Sequence, residues 1–216
     1  AAARDQAAAD LRGRLALREQ FGALMSMVSK EIEDEAGGTA PDQVLASTAG
    51  LLEVVRRVAR VAKIESGEES LDVHPIALTE LVNQVHQDVL PMLGETHSQL
   101  MVDLRARETI VSDFGLLRQV LGELVAFVAG NGPRAEVRIE VWIDSRHESL
   151  CVFEISRAQP RGVGERTRSE AEQLALTVTQ HAVGLLQGTL QLHGRDPQRR
   201  VLTLTLPVAG QLDVAG

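Results

Sequence analysis

Asp113–Ala129 reads DFGLLRQVLGELVAFVA. It carries an apolar helical pattern that opens behind an acidic residue able to cap it. It also follows directly on ETIVSD (residues 108–113), which has the short alternating pattern of a strand. Working outward, AEVRIEVWID (135–144) and SLCVFEIS (149–156) read as two strands separated by SRHE in hairpin fashion. The polar stretch RAQPRGVGERTRS (157–169) has a loop's composition. A third helix is expected over Glu170–Leu186, followed by a final strand pair in GTLQLHG and RRVLTLTLPV. Upstream, SLDVHPIA (70–77) reads as a strand, ALTELVNQVHQDVLPML (77–93) as a helix and QLMVDLRA (99–106) as a strand. Helices and strands that alternate irregularly, with adjacent antiparallel pairs, give an α+β sandwich of three helices on a mixed sheet.

Before Gly67 the grammar is purely helical. Leu17, Phe21, Leu24 and Val28 recur at spacings of four, three and four, which is a helical stripe. EDEAGGTAPDQ (33–43) interrupts it with two glycines and a proline. A second stripe follows through Val44, Thr48, Leu51, Val55, Val58 and Ala62. Two helices joined by a short turn pack antiparallel. Their apolar stripes are too wide for one partner to cover, so a second copy is expected to complete a four-helix bundle. The expected organisation is a dimerising helical hairpin over 1–66 and the sandwich over 67–216, with the chain a homodimer.

Composition narrows the function classes. With four Phe, one Trp and no Tyr among 216 residues, aromatic stacking on bases has little to work with. A formal charge of −8 repels phosphate backbones and anionic membranes, so neither nucleic acid nor direct membrane insertion is expected. The single cysteine, Cys151, cannot form an internal disulfide, and a cytoplasmic location fits. The first residue is not Met, and sensory or membrane parts upstream are an expectation.

The order of pieces resembles a known family. VAKIESGEESLDVHPIALTELVNQV (61–85) resembles the junction between the dimerisation helices and the ATP-binding domain of a sensor histidine kinase. DFGLLRQVLGELV resembles the helix bearing that family's asparagine box, VFEIS the strand leading to its first glycine box, and VGLLQGTLQL with VLTLTLP its closing helix and strands. The resemblance covers roughly residues 15–208. It implies phosphoryl transfer from ATP to a histidine, and each position needed for that can be tested on this chain.

VSKEI (28–32) stands where the family has its phosphoacceptor histidine, so Lys30 takes that place. A lysine amine with a pKa of about 10.4 is protonated near neutrality and has no lone pair to offer. Glu31 and Glu33 beside it favour the charged form further. None of the six histidines lies within residues 1–66. In the nucleotide site implied by the resemblance, Glu123 and Phe127 replace two asparagines. A glutamate can ligate Mg²⁺, whereas a phenylalanine cannot. Arg157 replaces the aspartate that receives the adenine amino group, and a guanidinium only donates. Gln159, Arg161, Ala171, Gln173 and Ala175 replace glycines that let backbone amides approach phosphate. No histidine pair has metal-ligand spacing. The sequence therefore reads as a catalytically degenerate histidine kinase with no cofactor, working by binding a response regulator or a partner kinase. Met25, Met27, Lys30, Glu31, Arg56, Arg57 and Arg60 form the candidate docking surface. The competing reading is a divergent active kinase or phosphotransfer protein with a non-standard phosphoacceptor.

Overall fold

The computed structural model describes residues 59–64, 66–106, 108–130, 134–144, 150–158, 170–193 and 199–208. The chain divides into two compact units, Ala1–Ser70 and Leu71–Gly216. In the first, residues 59–64 are helical. The rest of the expected hairpin, with Met25, Met27, Lys30, Glu31, Arg56 and Arg57, lies outside the described residues. Arg60 is described, and its Nε donates to Glu69 Oε1 at 3.3 Å.

In the second unit the order is β1 (Val73–Ala77), α1 (Leu78–Glu95), β2 (Gln99–Leu104), β3 (Thr109–Asp113), α2 (Phe114–Ala129), β4 (Glu136–Ile143), β5 (Leu150–Ala158), α3 (Glu170–Leu185), β6 (Thr189–His193) and β7 (Arg199–Pro207). Five strands form one sheet in the order β2-β4-β5-β7-β6. The β2–β4 pair is parallel, and every other neighbour in that sheet is antiparallel. Strands β1 and β3 do not join it. They pair with each other as a separate antiparallel ribbon, Val73 opposite Asp113 and Ala77 opposite Thr109.

Strand periodicity decides which face carries the core. Val137, Ile139 and Val141 on β4, Phe153 and Ile155 on β5, and Leu202, Leu204 and Leu206 on β7 are all buried and share one face by register. The helices pack on it. The alternate positions form a polar outer face, where Arg105 Nη2 lies 2.7 Å from Asp103 Oδ2 and Arg138 Nη1 lies 3.6 Å from Glu140 Oε1. One covered and one wet face is the usual economy of a largely antiparallel sheet. Cys151 lies on the covered face. Burial, with Glu108 nearby, pushes its thiol up to about 12, so it acts as a small apolar side chain. No helix of the described residues is long and apolar enough to cross a membrane.

Helix α2 runs through the middle of the helical layer, packing on both α1 and α3, and it is held at both ends. At the start, buried Asp113 accepts from Leu116 N at 2.7 Å through Oδ1 and from Asp72 N at 3.0 Å through Oδ2. One carboxylate thus caps the helix and ties down the entry to β1. At the other end Arg157 on β5 donates from Nη1 to Ala129 O, the last carbonyl of the helix. Acid at the N-terminus and base at the C-terminus both suit the helix dipole. Between these points Arg118 on α2 grips Asp88 on α1 through both carboxylate oxygens, with Nη2 to Oδ1 at 2.8 Å.

Gly188 sits at the tight passage from α3 to β6. A Cβ there would lie 2.6 Å from Leu206 Cδ2 and 2.8 Å from Thr205 O.

Four outcomes are expected. Gly188→Ala should cost about 1–3 kcal/mol of stability in chemical denaturation, because a backbone oxygen cannot yield as a flexible side chain does. Helical Gly122, with open space where a Cβ would stand, should gain about 0.5–1 kcal/mol as Ala. Arg157→Met keeps the packing volume and strands a carbonyl, and should cost about 1–3 kcal/mol; an unchanged midpoint would deny the bond its role. The Arg118 hydrogen bond holds the Asp88 carboxyl below its ordinary 3.8. The pair's contribution is therefore present above that value and disappears as pH falls through the lowered one. For this half-exposed pair, Asp88→Asn should be less stable by up to about 1 kcal/mol at neutral pH, with the gap closing in acid.

Candidate functional site

The α2 sequence that settles the fold also delivers its C-terminal half to a cavity of about 290 Å³. Glu123 and Phe127 are four residues apart and so stand on one face of the helix, one turn apart. Both line this cavity, with Leu124, Ala126, Ala129 and Gly130 from the same helix. Across from them α3 contributes Ala175, Leu176 and Thr179, and the end of α1 contributes Met92, Glu95 and Thr96. Four of the eight positions that sequence comparison marks as altered therefore gather at one place: Glu123, Phe127 and Ala175 in the wall, and Arg157 bonded to Ala129 of the same wall.

Arg157 continues the alternation of Phe153 and Ile155 toward the helices, and it pairs in register with Val137. A side chain at this position reaches the helical layer whatever its chemistry. Here it is 7% exposed, and its Nη1 donates to Ala129 O at the helix end. A carboxylate there would meet the negative end of the helix dipole instead of complementing it. Where the resemblance expects an aspartate accepting from a ligand, this chain has a side chain that donates to its own helix end.

The resemblance also expects glycines at 171, 173 and 175. Helix α3 begins at Glu170, so residues 171, 173 and 175 lie on helical backbone. The amide of Ala175 is more than a turn inside the helix, where the i→i−4 ladder takes it up. It is not presented to a phosphate. The side chains of Ala171 and Gln173, and residues Gln159 and Arg161 entirely, lie outside the described part.

Sequence reading missed the contribution of α1. Met92, Glu95 and Thr96 carry no motif, and they reach the cavity because the exit of α1 is tied back to the exit of α2. Arg134 N donates to Thr96 O at 2.8 Å, and Ala135 N donates to Ser98 Oγ at 3.0 Å. His97 and Arg134 both take positive φ, 54° and 55°, to make this crossing. None of the described histidines lines the cavity. His74 Nδ1 lies 3.0 Å from Asp72 O, and His193 Nε2 lies 3.0 Å from Thr203 Oγ1. No group of three or more potential metal ligands occurs among the described residues.

No protein-family model matches the chain. Among curated proteins it is similar to the circadian input-output histidine kinase CikA of Synechococcus elongatus, 24% identical over 177 residues, which is 73% of this chain and 23% of that protein. The chain thus spans about a quarter of that relative's length. Among solved structures it is similar to the histidine kinase AdeS of Acinetobacter baumannii, at 17% identity and TM-score 0.62, covering 90% of this chain and 98% of that one. Full-length ShkA in complex with AMPPNP matches at 18% identity and TM-score 0.61 over 95% of this chain and 46% of that one. The kinase ThkA in complex with the response regulator protein TrrA matches at 13% and 0.61, over 95% and 64%. The strand order and the three-helix layer accordingly belong to one architecture: this chain has the fold of the histidine-kinase catalytic domain.

Proposed function

We propose that the chain is a catalytically inactive, histidine-kinase-like component of two-component signal transduction, acting by binding a response regulator or a partner kinase. The observation that carries this reading is the engagement of Arg157 with Ala129 O, at the position where a nucleotide-binding relative needs an acceptor. Two carboxylates, Glu95 and Glu123, line the same cavity and repel a triphosphate. Phe127 and Ala175 offer neither a metal ligand nor a backbone donor. ShkA, which shares the fold, was solved with AMPPNP, so the fold itself accommodates such a ligand. The difference lies in individual side chains.

In this reading residues 1–66 form the dimerising hairpin, 67–216 the inactive domain, and the protein works as a cytoplasmic homodimer. Lys30 replaces the phosphoacceptor. Met25, Met27, Lys30, Glu31, Arg56, Arg57 and Arg60 supply the docking surface, and ThkA, solved with its response regulator, supports a partner of that class. A binding role needs the framework's shape and surface charge, and neither depends on the lost groups.

The chain incubated with labelled ATP and Mg²⁺ is expected to incorporate no acid-labile phosphate, and calorimetry with millimolar MgATP to show no saturable heat. Incorporated label would instead establish the active kinase reading, with Glu123 as the first candidate for holding Mg²⁺.

A further inference from the structure

The five-stranded sheet ends on β2, whose neighbour in it is β4. Gln99 N donates to Ala135 O and Arg105 N to Val141 O, each at 2.9 Å, and in a parallel ladder alternate residues turn both backbone groups toward the neighbour. Gln99, Met101, Asp103 and Arg105 therefore face β4. Leu100, Val102 and Leu104 turn their N–H and C=O the other way, where no strand of the described residues stands.

Sheet edges are usually guarded by a charge, a proline or a bulge. The centre of β2, Leu100 to Val102, has none of these. Met101 on the outer face is 44% exposed and Val102 on the helical face 41%, so large apolar side chains stand open on both faces of the edge. The charged residue of β2, Asp103, is held within its own chain by Arg105, whose Nη2 donates to Oδ2 at 2.7 Å. At the opposite edge β6 sets its exposed Leu192 between the polar Gln191 and His193.

We infer that β2 pairs antiparallel with β2 of a second copy of this chain, about a two-fold axis at Val102, joining two five-stranded sheets into one. Such a contact must complement itself, and this one does. On the helical face Leu100 falls opposite Leu104, and Val102 opposite Val102. On the outer face Met101 falls opposite Asp103. Arg138 on β4 reaches toward that edge, with Nη2 4.0 Å from Met101 Sδ, which directs its charge at Asp103 of the second copy. Centring the axis on Met101 would set Leu104 against Ser98, and centring it on Asp103 would set two carboxylates together. The contact uses no residue of the helical hairpin and its test contains no nucleotide, so it stands or falls separately from the proposed function.

Cross-linking of the full chain carrying Val102→Cys tests it. Hydrogen-bonded antiparallel partners lie roughly 5.5 Å apart at Cα, within disulfide range, and the native Cys151 is buried. Under mild oxidation with diamide, Val102→Cys should run as a covalent dimer on a denaturing, non-reducing gel, with the melting temperature of the reduced protein unchanged. Leu192→Cys, on the opposite edge, should stay monomeric. So should Leu100→Cys, whose two copies would lie roughly 13 Å apart along the strands, whereas an equal mixture of Leu100→Cys and Leu104→Cys chains should cross-link. In the native chain the Leu100 and Leu104 amides should exchange at least about tenfold more slowly than in Val102→Lys, which sets two ammonium groups opposite each other. Cross-linking of Val102→Cys no greater than that of Leu192→Cys, or equal exchange in the native and Val102→Lys chains, would overturn the proposal. Protection of these amides without cross-linking would overturn it as well, since a segment other than a second β2 would then cover the edge.

Discussion

Helix α2 is the member on which the second unit turns, and its position is set by two charged side chains at its ends. Asp113 gives one oxygen to the first turn and the other to the backbone leading into β1. Arg157 reaches from β5 to the last carbonyl. Helix termini leave backbone groups unsatisfied that cost free energy when buried, and both of these side chains are buried. Removing either would expose the helix to a shift along its axis, and with it the side chains facing the cavity. The bidentate grip of Arg118 on Asp88 limits rotation against α1, but as a half-exposed pair it is worth less than the buried contacts.

The same arrangement ties fold to function. Position 157 faces the helical layer because strand alternation puts it there, and the resemblance expects a ligand-receiving aspartate at that place. An arginine at the same place serves the helix. On the proposed reading, a position that would receive a ligand serves here as an internal tie. If the proposed reading holds, an acidic residue at 157 would trade the helix tie for a ligand acceptor.

Much of the architecture was legible in the residues. Asp113 followed by an apolar helical run announced α2 and its cap, and the alternation in AEVRIEVWID and SLCVFEIS announced the central β4–β5 pair. The α1, α3, β6 and β7 segments also stand where the pattern put them, within a few residues. Pairing was harder to read. Strands β2 and β3 are consecutive and yet go to different sheets, β2 running parallel to β4 and β3 returning to β1. Short strands carry their face in the sequence but not their neighbour, because the neighbour is chosen by tertiary packing. At the site, comparison with the family identified Glu123, Phe127, Arg157 and Ala175, which do converge. It could say only that Arg157 was unsuited to adenine, not that its donor had a carbonyl to bind. Glu95 and Thr96 carried no signal at all, since they reach the cavity through a backbone crossing that involves two residues with left-handed φ.

What occupies the space between α2 and α3 when nucleotide is plentiful decides between an internal tie and a ligand site. A crystal structure of the full chain grown with AMPPNP and Mg²⁺ in excess measures this directly. The expected result is Arg157 still bonded to Ala129 O and no nucleotide against Glu123, Phe127 or Ala175. An ordered adenine and triphosphate in that space, with Arg157 swung away from the helix end, would contradict it.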